Sequence, residues 1–261
     1  MRKRNNLLGQ KGFSLVELLI AMTLTLILMA NGFHLLATQH HQYIIQDGIA
    51  EAQQNLRTGI DMMANEIRLA GYGVPAGSPK ILTVEKEEIE FLANLNAGMT
   101  WLTERVQPGQ MTISVGSGQD FQEGKRIYLC DAESCEQHTL AQDGISHSLT
   151  LKEPVKRMQP FGIGSRVNVV NQVRYYLNSK DPANRKLMRE VDHGAVPLSE
   201  QVVGVAFDYL DRNGFVTAVP SDVRRVQIRF ITTSSKAQSL SSPDPKDRHR
   251  ILSTEVRLRN L

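Results

Sequence analysis

Lys11-Gly12-Phe13-Ser14-Leu15-Val16-Glu17-Leu18-Leu19-Ile20 opens a run that stays mostly apolar to Leu36, with Glu17 as its one carboxylate. The stretch 13–36 holds 24 residues, and a helix needs about 20 to cross a hydrocarbon core. A secretory signal peptide is the competing interpretation. Its apolar region usually spans only about 7–15 residues and ends in a small-x-small cleavage site, and Met29-Ala30-Asn31-Gly32 is a poor site of that kind. The chain has 30 Lys+Arg and 27 Asp+Glu in 261 residues, a formal net charge of +3. Arg2, Lys3, Arg4 and Lys11 place +4 in the first 12 residues, so the other 249 carry 26 basic and 27 acidic groups, or −1. The basic leader is therefore expected to stay cytoplasmic, with everything after Leu36 outside. A body so near neutral argues against a general nucleic-acid binder held by phosphate electrostatics.

A carboxylate inside a spanning helix costs roughly 2.5–3.5 kcal/mol on insertion scales, so it is normally paired and functional. The only cation available to Glu17 within the segment is a new N-terminus made by cutting just before Phe13. That amine would lie one helical turn from Glu17 in the same subunit, or be offered to a neighbouring one. The pattern reads as a proteolytically matured helix that pairs with its neighbours in the membrane.

With its basic leader, the Gly12 before the cut and the acidic residue four positions after Phe13, the segment resembles the prepilin cleavage and methylation motif of type IV pilins and type II secretion pseudopilins. The resemblance implies that a prepilin peptidase cuts between Gly12 and Phe13 and methylates the Phe13 amine. It also implies that Glu17 aids subunit docking during fibre assembly. One departure is His34, which stands where many major pilins have a helix-kinking proline; Gly32 is available to supply that flexibility.

Beyond the membrane the helical period continues. Ile49, Ala52, Leu56, Ile60, Met63, Ile67 and Ala70 recur at spacings of 3, 4, 4, 3, 4 and 3, a single apolar stripe. Asp47, Glu51, Gln54, Arg57, Asp61, Asn65 and Arg68 lie opposite. One helix from Ser14 to Ala70 would be about 85 Å long at 1.5 Å per residue, and Gly71-Tyr72-Gly73-Val74-Pro75 ends it. So regular a stripe also fits a coiled coil, but its abrupt end before strand-like sequence favours packing on the chain's own head.

From residue 72 the period is two. Ile81–Val84, Glu88–Leu92, Met111–Val115, Arg126–Cys130, Leu149–Leu151, Arg166–Val170, Val173–Leu177, Lys186–Glu190, Val202–Leu210, Val223–Thr232 and Thr254–Leu258 read as strands. Pro108-Gly109, Gly116-Ser117-Gly118 and Asn213-Gly214 mark turns between them, and Thr233–Arg250 reads as a polar, mobile loop. Strands this close without helical inserts imply an antiparallel sheet facing the helix. The expected fold is α+β and lollipop-shaped. Its parts are leader 1–12, transmembrane and assembly helix 13–36, outer half of the helix 37–71 and β-rich head 72–261.

The head carries a second likeness, in Glu66-Ile67-Arg68-Leu69-Ala70-Gly71-Tyr72-Gly73, in Val205-Ala206-Phe207-Asp208-Tyr209 before Asn213-Gly214, and in Thr254-Glu255-Val256-Arg257-Leu258-Arg259-Asn260. Together these resemble large minor pilins of the PilW type and are similar to J-type pseudopilins of type II secretion. Ordinary major pilins are usually shorter.

Cys130 and Cys135, the only cysteines, would lie in an oxidising compartment, where a disulfide across so short a loop contributes about 2 kcal/mol. A metal site with His138 lacks a clear fourth ligand and the usual spacing. His34, His40 and His41 are read as polar residues at the membrane edge. Gly118 to Gly124-Lys125 fails the phosphate-loop spacing and Arg126 replaces its hydroxyl, while Asp208, Asp211 and Asn213 fail the calcium-loop spacing. Alternation places Val226, Ile228 and Phe230 inward with Arg225 and Arg229 outward, and Val256 and Leu258 inward with Arg257 and Arg259 outward. If the two strands pair, these four arginines share one solvent face. A solvated face with ion pairs is the plain account; contact with a neighbouring pilin, an acidic surface or DNA is the sharper one.

No catalytic or metal constellation can be defended from the sequence, and no cofactor is expected. The resemblance implies a minor pilin that initiates pilus assembly with other minor pilins, the major pilin and an inner-membrane assembly platform. A J-type pseudopilin is the alternative, and a pilus-tip adhesin or DNA-uptake subunit the third. The expected location is the inner membrane, single-pass, N-terminus cytoplasmic and head periplasmic, with passage into the fibre or its tip after assembly.

Overall fold

The computed structural model describes residues 14–181, 185–199, 202–233 and 249–260. Helix α1 spans Leu15–Arg68. The chain divides into two compact units, one ending at Glu51 and one beginning at Ala52. In the first unit, the stretch Leu15–Ile44 is long and apolar enough to cross a membrane, and its side chains are exposed along their length. The second unit is an antiparallel β head into which the last turns of α1 are built.

The strands of the head are β1 (Ile81–Val84), β2 (Glu88–Ala93), β3 (Met99–Trp101), β4 (Thr112–Ser114), β5 (Arg126–Cys130), β6 (Cys135–Thr139), β7 (Ser148–Thr150), β8 (Arg166–Asn178), β9 (Lys186–Val191), β10 (Gly194–Ser199), β11 (Val202–Leu210), β12 (Arg225–Thr233) and β13 (His249–Arg257). Among the described residues they form an eight-stranded sheet, a three-stranded sheet ordered β11-β12-β13, and a β4–β7 ribbon, all antiparallel. Strand β8 organises the large sheet. Its first half pairs with β3 and β5, and its second half with β2 and β9.

This pairing gives two principal cores. Leu56, Met63 and Ile67 of α1 join Phe91, Tyr175, Phe207, Ile228, Phe230 and Val256 in one. Leu102, Ile113, Ile127, Leu149, Phe161 and Val167 form the other around the first half of β8. The helical stripe thus enters the head where its side chains are described, with Met63 and Ile67 fully buried; each such burial contributes about 1.5–3 kcal/mol. The side chains of Ile49 and Ala52 lie outside the described residues.

Several boundaries differ from expectation. Arg166–Val170 and Val173–Leu177 are one strand, because Asn171 and Gln172 continue the ladder; the Asp192 carboxylate accepts from Asn171 Nδ2 and Gln172 N, both at 2.8 Å. Strands β3, β6 and β10 are additional, and β13 starts five residues before Thr254. Thr233, His249 and Arg250 are paired strand residues, and 234–248 lies outside the described residues. The helix stops at Arg68, and a turn through Gly71 (φ +80°) follows. There Gly71 N donates to Leu92 O at 2.8 Å, and a Cβ would meet the Asn260 carbonyl oxygen at 2.9 Å.

The last turn of α1 is clamped to the sheet. Glu66 accepts from Tyr175 Oη at 2.6 Å and from Arg189 Nε and Nη2 at 3.0 and 2.6 Å. Tyr175 and Arg189 face one another across β8 and β9. Burial, helped by the Glu66 charge, holds the Tyr175 hydroxyl protonated well above the usual range. Replacing Glu66 with alanine leaves a largely buried guanidinium unpaired. The expected loss is about 3 kcal/mol, read from urea denaturation of the detergent-solubilised chain, with Glu66→Gln less severe. Gly71→Ala is expected to cost more than about 1 kcal/mol by the same measurement, since it adds both φ strain and a clash.

Candidate functional site

The N-terminal turn of α1 holds the most informative carboxylate. Leu18 N donates to Ser14 O at 3.2 Å, and Glu17 Oε2 accepts from Ser14 N at 3.4 Å. Ser14-x-x-Glu17 is thus a capping-box pattern, and it places Glu17 in the first turn of the helix. Gly12 and Phe13 lie outside the described residues. Along the apolar stretch the polar side chains turn back onto the helix. Thr23 Oγ1 donates to Ile20 O at 2.9 Å, Thr25 Oγ1 to Ala21 O at 2.7 Å, Asn31 Nδ2 to Ile27 O at 2.7 Å and Thr38 Oγ1 to His34 O at 2.9 Å. Such bonds lower the cost of placing these groups in lipid. The helix continues unbroken through Gly32 and His34.

The first and last of the three head segments singled out in the sequence meet, Asn260 Nδ2 donating to Leu69 O at 3.5 Å. The middle one lies on β11, separated from β13 by β12, and its Tyr209 Oη donates to Glu88 O of β2 at 2.6 Å. Arg225 and Arg257 are cross-strand partners. Arg225 Nη1 is 3.0 Å from Glu255 Oε1, and Arg229 Nη2 is 2.7 Å from Asp208 Oδ2. Two of the four arginines are therefore committed to carboxylates beside them. Arg257 and Arg259 are exposed, Arg259 beyond the last paired residue. Asp211 organises its own turn, its Oδ1 accepting from Asn213 N and Phe215 N at 2.8 and 2.9 Å.

Cys130 and Cys135 are joined by a disulfide that closes the β5–β6 hairpin, where the two residues are register partners. Inside its tip, Asp131 Oδ1 accepts from Glu133 N and Ser134 N, both at 2.9 Å. Asp131 also pairs with Arg157, whose Nη2 lies 3.2 Å from Glu133 Oε2. Burial opposes ionisation of Asp131, but the Ser134 and Glu133 amides and Arg157 outweigh it and hold its carboxyl below the usual range. An open cleft of about 830 Å³ lies beside this hairpin, between it and the loop through Gly162 and Ile163. Sequence reasoning missed this cleft, since its walls come from segments far apart in the chain.

His138 of β6 is buried, with Nε2 3.2 Å from Glu136 Oε1 but not aligned to hydrogen-bond it. Burial, opposed by the Glu136 charge, pushes the imidazole below its usual 6.5. An unfolded chain therefore takes up a proton here that the fold resists, so stability falls as pH drops below 6.5. The head is expected to lose stability between about pH 7 and pH 5, with a shallower loss in His138→Gln; melting temperature against pH checks this. Cys130→Ser is expected to lower stability by about 2 kcal/mol in denaturant titrations.

Residues 7–30 match the family described as the prokaryotic N-terminal methylation motif. No curated protein matches the chain by sequence similarity. The motif, together with an apolar N-terminal helix followed by an antiparallel β head, supports a type IV pilin-like or pseudopilin chain, a structural class processed by prepilin peptidase and consistent with membrane anchoring.

Proposed function

We propose that this chain is a minor type IV pilin that helps to initiate pilus assembly with other minor pilins, the major pilin and an inner-membrane assembly platform. The methylation motif over residues 7–30 carries this reading. In it, cleavage between Gly12 and Phe13 exposes an amine that is methylated and pairs with Glu17, in the same subunit or the next. The basic leader keeps the N-terminus cytoplasmic and the head periplasmic. The head's size, with two principal cores rather than one, supports a place at the tip, where bulk does not obstruct a repeating shaft, and its PilW-like segments support the minor-pilin class. The same motif serves a J-type pseudopilin of type II secretion, which is the second reading.

Mass spectrometry of the membrane-extracted protein, with and without the host's prepilin peptidase, tests the processing step. A chain starting at methylated Phe13 is expected, and only when the peptidase is present; an intact Met1 start overturns the assembly mechanism. Glu17→Ala is expected to insert normally yet abolish surface pili by electron microscopy. Loss of type II secretion with pili intact would favour the pseudopilin instead.

A further inference from the structure

We propose that Asn213 is a self-modifying site: its side chain closes on the Gly214 amide and converts the residue to aspartate and isoaspartate as the protein ages. The inference stands apart from the assembly reading, because it needs neither a fibre nor a processed N-terminus. Asparagine followed by glycine is the most reactive pairing for this chemistry, since glycine has no Cβ to hinder approach of its backbone nitrogen to the preceding side chain. The chain contains that dipeptide twice, at Asn31-Gly32 and at Asn213-Gly214. The fold treats the two in opposite ways.

Asn31-Gly32 lies within α1. In a helix the glycine amide donates to the carbonyl four residues back, so it is not available as a nucleophile. The Asn31 amide is engaged too, its Nδ2 donating to Ile27 O at 2.7 Å. Ring closure also requires rotation about ψ of the asparagine, which a helical residue cannot make without breaking its ladder.

Asn213-Gly214 lies in the turn between β11 and β12. Asn213 is exposed, and its side-chain amide makes no hydrogen bond among the described residues. The Gly214 amide, at φ +93°, keeps only a long bond of 3.3 Å to Asp211 O, beyond the usual range for a good N–H···O contact. Arg225 Nη2 lies against Gly214, 2.8 Å from where a Cβ would stand. A guanidinium there favours the amide anion that attacks. The opposing charge of Asp211 is already engaged, its Oδ1 accepting from Asn213 N and Phe215 N.

The step balances with water alone. The Gly214 nitrogen gives up its proton and bonds to Asn213 Cγ, the Cγ–Nδ2 bond breaks, and ammonia leaves with that proton. Water then opens the cyclic imide. Opening at Cγ yields aspartate; opening at the main-chain carbonyl yields isoaspartate, whose backbone runs through the side chain and is one atom longer. The longer backbone shifts Phe215 relative to Asp211 and so undoes the cap on the turn. Either product adds a negative charge to the turn against which Arg225, the partner of Glu255, already lies.

The full chain is incubated in detergent micelles, in mildly alkaline and mildly acidic buffer and in urea. Peptide mapping by mass spectrometry, with isoaspartate resolved by chromatography, follows both dipeptides. In the folded chain, conversion at 213 is expected to outrun that at 31 by about tenfold or more, to be faster in the alkaline buffer and to yield both products. In urea the two sites should convert at similar rates, and Asn213→Gln should stay unmodified at that position. Intact Asn213 in the folded chain after the unfolded chain has converted there, equal conversion at the two sites in the folded chain, the same bias persisting in urea, or aspartate without isoaspartate would each overturn the proposal.

Discussion

Strand β8 is thirteen residues long and hydrogen-bonds to four other strands. A single core cannot cover both halves of so long a strand, and the head resolves this by building one core on each half. Val167 belongs to the core of the β4–β7 ribbon, while Val173, Tyr175 and Leu177 belong to the core shared with α1 and the three-stranded sheet. The polar joint between them, Asn171 and Gln172, is held by Asp192 in the β9–β10 turn. Asp192 itself sits at φ +48° and is tied to Lys125 Nζ at 2.7 Å. Positive φ in a side-chain-bearing residue is strained, and this network is what holds it.

Most of the architecture was legible because periodicity reports burial. Leu56, Met63 and Ile67 follow the helical period, and Val226, Ile228 and Phe230 the strand period; all are buried. The illegible parts are those whose burial is incomplete or whose partners are remote. Strand β6, Cys135-Glu136-Gln137-His138-Thr139, buries only His138, and β10 is exposed along most of its length, so neither shows alternation. Asn171-Gln172 looks like a break in a strand because its polar side chains find partners remote in the chain, Asn171 in Asp192 and Gln172 in Arg126 and Glu90. Nothing in the sequence around Glu66 reveals Tyr175 or Arg189, its partners on β8 and β9.

The same limit applies to function. The N-terminal motif is contiguous, so its residues can be read in order. Head surfaces are assembled from distant segments and cannot. Alternation alone put four arginines on one face, yet it could not show that Asp208 and Glu255 occupy two of them.

The Glu66 clamp has a mechanical meaning. Its two oxygens are gripped from adjacent strands, Tyr175 on β8 and Arg189 on β9, which are themselves cross-linked by backbone hydrogen bonds. Tension carried by α1 is therefore delivered to two coupled ladders at once. It loads their hydrogen bonds together rather than peeling one strand from an edge, so the last turn of the helix acts as a strain-sharing tether for the whole sheet.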